Sequence, residues 1–160
     1  MSWYALQTKP RNEKKVARVL EILGIIVYCP LITEIYQWSD RKKKIVRPLI
    51  PSYIFLKLDA HQYNLVFDVP GVVRYLFWQG KPAVVRDSEI EVMKIWLSDE
   101  IIDAKVENLQ PGDVFKVSKG LFKGKEGIVY EVNKNRVQLL LKEFGIKITI
   151  TRKQRKKVFS

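Results

Sequence analysis

Pro48-Leu49-Ile50-Pro51-Ser52-Tyr53-Ile54-Phe55-Leu56-Lys57-Leu58 is the stretch on which the fold of this chain turns. Two prolines three apart exclude regular helix and hold the entry extended, because each fixes φ and biases its predecessor away from the α region. Tyr53 to Leu58 is then a strand. Successive side chains of a strand point to opposite faces. Tyr53 and Phe55 therefore share one face and Ile54 and Leu56 the other, and one pair has to be core. We expect Ile54 and Leu56 inside, with Tyr53 and Phe55 turned outward.

On the N-terminal side, Trp3 to Gln7 reads as a first strand and Lys9-Pro10-Arg11-Asn12 as a turn, with Asn12 placed to cap a helix. Val16, Val19, Leu20 and Leu23 follow at helical spacing, and Gly24 ends the helix. Ile25 to Tyr28 is a β-branched run closed by Pro30. Leu31–Trp38 and Lys42–Arg47 flank a polar turn and predict a hairpin. Its tip, Asp40-Arg41-Lys42-Lys43-Lys44, is either a solvated loop or a reach toward nucleic acid. On the C-terminal side, His61–Phe67 suits a short helix, Val69-Pro70-Gly71 a turn and Val72–Trp78 a strand. Ser88 and Glu91 form a capping-box pattern opening a helix that carries Ile90, Met93, Trp96 and Leu97.

This half therefore predicts an α+β sandwich, four or five strands with two helices packed on them. Ser98 to Asn108 has no glycine and no clear apolar period, so it is expected to be a linker or a short helical extension. The expected domains are 1–98 and 109–160, joined by 99–108. In the last segment Val114–Val117, Gly127–Val132, Arg136–Leu141 and Ile146–Ile150 read as short strands at regular spacing, the pattern of a small β-barrel. The basic tail Arg152-Lys153-Gln154-Arg155-Lys156-Lys157 fits a solvated terminus.

Charge divides the chain at the same place. The 160 residues carry 29 Lys and Arg against 17 Asp and Glu, a formal net charge of +12. Residues 1–107 hold 16 basic and 13 acidic groups, a net of +3, while residues 108–160 hold 13 and 4, a net of +9. An excess of this kind suits work beside a polyanion. Cys29 and His61 are the sole residues of their types, so a disulfide within the chain is excluded and a multi-histidine or thiolate metal site is not expected. No phosphate-cradling glycine loop occurs, and no carboxylate pair stands in an apolar setting. No apolar run reaches membrane-spanning length. The expectation is a non-enzymatic, monomeric protein of the cytoplasm, without cofactor, metal or membrane contact. A weaker reading makes Cys29, in the apolar run Ile25-Ile26-Val27-Tyr28-Cys29, a nucleophile.

Lys119-Gly120-Leu121-Phe122-Lys123-Gly124-Lys125-Glu126-Gly127-Ile128-Val129 sets three glycines and an aromatic between two strands. With Pro111-Gly112-Asp113-Val114 before it, it resembles the KOW motif of transcription elongation factors and several ribosomal proteins. Ser2-Trp3-Tyr4, the basic helix, the Pro48–Phe55 run, Val69-Pro70-Gly71-Val72 and Gly80-Lys81-Pro82 look like the N-terminal domain of NusG-type factors in order and spacing. The resemblance spans nearly the whole chain. Around Tyr28–Pro30 and Pro48–Phe55 it looks closer to the specialised paralogue RfaH and the antiterminators of capsular-polysaccharide operons.

That resemblance implies an N-terminal NusG-like αβ sandwich followed by a C-terminal KOW (SH3-like) barrel. It further implies that Ile50, Pro51, Tyr53 and Phe55 grip the clamp helices of the largest subunit of RNA polymerase. Lys9 and Lys15, with Arg11, Lys14, Arg18 and Arg74, would touch the non-template DNA strand. The polar His-Thr loop with which RfaH reads bases is replaced by Tyr63-Asn64-Leu65-Val66-Phe67, where Tyr63 remains available for stacking beside Asn64. The barrel would recruit a small-subunit ribosomal protein or Rho through Phe122, Ile128 and Phe144. The RfaH-like refolding of the C-terminal domain into helices is not expected, given Gly120, Gly124, Gly127 and Gly145. This reading predicts that Tyr53→Ala with Phe55→Ala abolishes polymerase binding and leaves the fold intact. The competing reading is a ribosome-associated RNA-binding KOW protein.

Overall fold

The computed structural model describes residues 1–37, 39–97, 102–108, 128–133, 135–141 and 144–152. The first strand, β1 (Ser2–Thr8), buries residues on both of its faces, Trp3 and Ala5 on one and Leu6 and Thr8 on the other, and α1 (Glu13–Ile22) follows it across the Lys9–Asn12 turn. Asn12 occupies the N-cap position, but its side chain makes no capping hydrogen bond. Val16, Ala17 and Leu20 form the buried stripe of α1, whereas Leu23, expected on that stripe, lies past the end of the helix and is exposed. Gly24 (φ +86) turns the chain there. Next come β2 (Ile26–Tyr28), the hairpin of β3 (Leu31–Gln37) with β4 (Lys42–Pro48), and β5 (Tyr53–Leu58).

Two 3-10 turns, Ala60–Gln62 and Leu65–Asp68, replace the single short helix expected over residues 61–67. The strand expected from Val72 to Trp78 breaks into β6 (Val72–Tyr75) and β7 (Phe77–Trp78). Leu76 lies between them and its N–H donates to the Ala5 carbonyl (2.9 Å). β7 pairs with β8 (Lys81–Pro82), and β9 (Val84–Val85) returns to β1. Helix α2 (Asp87–Leu97) starts ahead of the capping box read from sequence, so Ser88 lies inside its first turn.

The main sheet runs β2-β5-β1-β6, with β9 beside β1. All its described pairings are antiparallel, and Ala5 sits opposite Phe55. One face packs on α1: Leu6, Ile54, Leu56 and Leu58 meet Val16, Ala17, Leu20 and Tyr75. Gly71 allows that closure. Its φ of +98 is left-handed, and a Cβ there would stand 2.9 Å from Cγ2 of Val16. The other face, carrying Trp3, Ala5 and Phe55, packs on Ile90, Met93 and Trp96 of α2.

Within the segment expected as a linker or a short helical extension, residues 102–108 are extended. β10 (Ile102–Asn108) is a strand that pairs along its whole length with β13 (Ile146–Arg152). Between them in chain order lie β11 (Ile128–Asn133) and β12 (Arg136–Leu141), and the sheet order is β10-β13-β12-β11. The physical reason is pairing rather than pattern. A mixed polar sequence such as Ile102-Asp103-Ala104-Lys105-Val106-Glu107-Asn108 becomes a strand because the Ile146–Arg152 run offers its backbone a complete ladder. The strand expected at 114–117, and with it any closure into a barrel, lies outside the described residues. Val137, Leu139, Leu141, Ile148 and Ile150 of this second sheet join the same core as Phe55, Met93 and Trp96.

Candidate functional site

Tyr53 and Phe55 do share the face turned away from α1, but they are not turned to solvent. Phe55 is fully buried and Tyr53 half-buried. Tyr28 stacks on Phe55 (ring centroids 6.4 Å apart) from the neighbouring strand β2. From the second sheet's side comes Phe144, which follows β12 and precedes β13. Its ring meets Tyr53 edge-on at 5.6 Å and Phe55 at 5.7 Å. Ile50 is buried in the same cluster, and Pro51 is exposed beside it. Edge-to-face pairs of this kind contribute about 0.5–1.5 kcal/mol each beyond the area they bury. The face expected to turn outward is thus an aromatic patch that Phe144, the second sheet and α2 cover together.

A second contact, which sequence reading missed, ties the same parts together. The guanidinium of Arg152, at the end of β13, lies 3.9 Å from the ring centroid of Trp96 on α2. Arg152 opens the basic tail in sequence, and nothing in that run distinguishes it from its neighbours. Phe77 and Trp78 were also missed. Both are exposed apolar rings (54% and 40%) on the β7–β8 ribbon, and the signal was present in sequence as two adjacent aromatics followed by Gln79-Gly80.

Lys9, Arg11, Lys14, Lys15 and Arg18 are all exposed, as are Asn64 and Arg74. Arg74 sits opposite Gln7 on β6, beside the β1–α1 turn. Lys9 is anchored there by its N–H, which donates to the Gly71 carbonyl (2.8 Å). Tyr63 is different. Its ring stacks on Tyr75 (4.1 Å, 14°) and meets Tyr4 edge-on (5.9 Å), while its carbonyl accepts from the Tyr75 hydroxyl at 2.8 Å. Burial pushes the Tyr63 hydroxyl pKa up, with Tyr4 adding to it. One face of this ring is therefore occupied by Tyr75.

Of the expected partner contacts on the second sheet, Phe144 is the half-buried cap just described. Ile128 begins β11, and Phe122 lies outside the described residues.

Asp87 organises the α2 end of the first unit. Its carboxylate accepts from the Lys57 ammonium (3.2 Å) and the Trp3 indole N–H (2.8 Å). The Lys57 hydrogen bond foremost, together with that of Trp3, lowers its pKa. Cys29 is half-buried, and burial first, then Glu13, raises its thiol to a pKa of about 11. A nucleophilic cysteine needs the reverse shift. At pH 8 the native thiol is expected to react with a disulfide reagent many-fold slower than in denaturant; equal rates would contradict the burial argument. Among the described residues, no cluster of His, Cys, Asp and Glu has metal-binding geometry, and no helix is long and apolar enough to cross a membrane.

The family model described as "Transcription termination factor nusG" matches residues 1–94. The "Transcription termination/antitermination protein NusG" of Streptococcus pyogenes serotype M3 is 28% identical over 157 residues, covering 89% of this chain and 87% of that protein. The protein of the same name from Pseudomonas aeruginosa is 28% identical over 159 residues, covering 89% of each. A solved structure described as "Domain interaction in Thermotoga maritima NusG" superposes with a TM-score of 0.46 at 18% identity, over 96% of this chain and 97% of that one.

Proposed function

This chain belongs to the NusG family of transcription termination factors, and on that premise we propose that it is a transcription elongation and antitermination factor that docks on RNA polymerase through its N-terminal unit and recruits a small-subunit ribosomal protein or Rho through its C-terminal unit. The observation that carries this reading is the aromatic patch of Tyr28, Tyr53 and Phe55, against which Phe144 packs from outside the N-terminal unit. Rings gathered on one face, outside the α1 core, are the anchors that interfaces use. The part of the cover that Phe144 supplies comes from a separate sheet, so it can be exchanged for another apolar partner while α2 stays in place. The clamp helices of the polymerase's largest subunit are that partner.

Phe144 then has two roles. In the closed arrangement it caps the patch, and on opening it is released for the C-terminal unit's own partner. The two bindings are thereby coupled: whatever holds Phe144 elsewhere favours docking. Residues 1–98 form the docking unit in this reading. The C-terminal unit is a KOW barrel that begins at β10, ahead of the boundary expected from sequence. Lys9, Arg11, Lys14, Lys15, Arg18 and Arg74 line the edge that meets the non-template strand, through backbone contacts that add affinity without sequence information. The factor acts as a cytoplasmic monomer, and the sequence resemblance around Tyr28–Pro30 and Pro48–Phe55 supports a specialised, operon-directed paralogue over the housekeeping one.

Immobilised core RNA polymerase is expected to retain the full chain, and Tyr53→Ala to weaken that retention about tenfold or more, as truncation of an interface anchor does. Tyr53 is the informative position because it is only half-buried. Full retention of a folded Tyr53→Ala variant would overturn the docking reading.

A further inference from the structure

The edge of the main sheet opposite β2 carries a protrusion. β6 pairs with β1 as far as Tyr75 opposite Leu6, and β9 resumes that pairing with Val84 opposite Tyr4 and Val85 opposite Trp3. Between them the chain leaves the sheet as the β7–β8 hairpin, with Phe77 opposite Pro82 and Trp78 opposite Lys81. The root of the hairpin is fixed twice. The Leu76 N–H donates to the Ala5 carbonyl (2.9 Å), and the Ala83 N–H donates to the Leu76 carbonyl (2.7 Å). Ala83 is buried and Leu76 packs on the α2-side core. At the tip, Gln79 (φ 52) and Gly80 (φ 76) make a two-residue turn in which both residues are left-handed, the geometry that matches the twist of a hairpin. A Cβ at Gly80 would meet nothing within 4 Å, so the space around the tip is open.

Successive residues of a strand point to opposite sides. Phe77 with Pro82 therefore occupies one side of the hairpin, and Trp78 with Lys81 the other. Both rings are exposed, and so are Val73 on β6 and Val84 on β9, at the two ends of the hairpin's root. Single exposed apolar residues are ordinary, whereas a group of them rimmed by polar residues marks an interaction site.

The rim here has one sign. From Val69 to Arg86 the sequence holds Arg74, Lys81 and Arg86 and no carboxylate. All three cations are exposed. The next carboxylate, that of Asp87, is engaged by Lys57 and Trp3. An apolar centre with aromatic anchors and a charged rim is the anatomy of a protein interface. Nucleic acid fits less well, because Val73 and Val84 offer a base no π-face. A rim of cations without counter-charges selects a partner that brings carboxylates.

We propose that the β7–β8 hairpin is a docking site for an acidic segment of a partner protein. The segment wraps the hairpin, its apolar side chains on Phe77 and Trp78 and its carboxylates on Arg74, Lys81 and Arg86. Arg74 is shared with the edge assigned to the non-template strand. Lys81 is not, so it is the cation to test. The Tyr53 patch plays no part in this contact, and the test uses the full chain without polymerase, so its failure and that of the docking reading are separable.

Three short labelled peptides serve as probes in fluorescence anisotropy: one interleaving glutamate with phenylalanine and leucine, one with glutamine in place of glutamate, and one with serine in place of the apolar residues. The first is expected to bind about tenfold tighter than either of the others, the scale of one interface anchor. Trp78→Ala and Phe77→Ala, at exposed positions, are each expected to remove that advantage over the serine peptide while thermal unfolding stays unchanged. Lys81→Gln is expected to weaken the first peptide and to leave the glutamine peptide unaffected. Equal affinity for the three peptides, full binding by folded Trp78→Ala and Phe77→Ala variants, or no binding at all would overturn the proposal. So would displacement of the first peptide by a thymidine oligonucleotide whose own binding is lost in Trp78→Ala, which assigns the hairpin to nucleic acid. Self-association of the chain that Trp78→Ala abolishes would overturn it as well, by placing a second copy there.

Discussion

Phe144→Asp is expected to raise the affinity of the full chain for core RNA polymerase by tenfold or more. The Phe144 ring touches both Tyr53 and Phe55, so the substitution puts a carboxylate against two rings with no cation described among their contacts. Holding an unpaired charge against an apolar cluster costs free energy even at a half-buried position, and swinging the second sheet away relieves it. A binding site that is covered most of the time shows an apparent affinity reduced by the fraction of time it is open. Raising that fraction therefore strengthens binding without adding any contact to the polymerase. Opening also separates Arg152 from Trp96, so a shift in tryptophan emission reports it directly. An opened variant, identified by that shift, that binds polymerase no better than the parent would show that the cover is structural and not regulatory.

Phe55→Ala is expected to lower the melting temperature by roughly 10 °C, through a loss of about 3–5 kcal/mol. The ring has no solvent exposure and is packed among Tyr28, Phe144 and the α2 cluster. Truncation leaves a cavity bounded by two sheets and a helix, none of which can collapse into it alone. Tyr53→Ala, at a half-buried position, is expected to cost less than half as much. Thermal unfolding of the two single variants decides the point, and equal small losses would show that Phe55 is not integrated into the core as described. The double substitution of Tyr53 and Phe55, expected from sequence to leave the fold intact, is for the same reason a poor probe of docking: its Phe55 half removes a core residue.

These two predictions trace the limit of what pattern alone conveys. Alternation placed Ile54 and Leu56 against α1 and set Tyr53 and Phe55 on the opposite face, and both placements hold because a strand's period leaves no other arrangement. Alternation says nothing about what lies across that second face. The layer that covers it includes Phe144, some ninety residues further along the chain, and Trp96 on α2. Trp96 in turn takes the guanidinium of Arg152, a residue that in sequence merely begins a basic tail. The basic edge was legible because exposed cations on a helix need no partner to be recognised. A cleft lined by Pro10, Val46 and Pro51 was not, since these residues converge only when α1 and the β3–β4 ribbon are placed side by side.

By itself the sequence determined the antiparallel hairpin of β3 and β4, the positions of α1 and α2, the course of β5 and membership of the NusG family. All of these depend on short-range preference, periodicity and motif order. Tertiary structure decided the rest: that residues 102–108 are a strand, that Tyr63 is stacked on Tyr75, and that the face of Tyr53 and Phe55 is covered by other parts of the same chain. Each of those outcomes depends on a partner distant in the chain, and burial is a property of the pair.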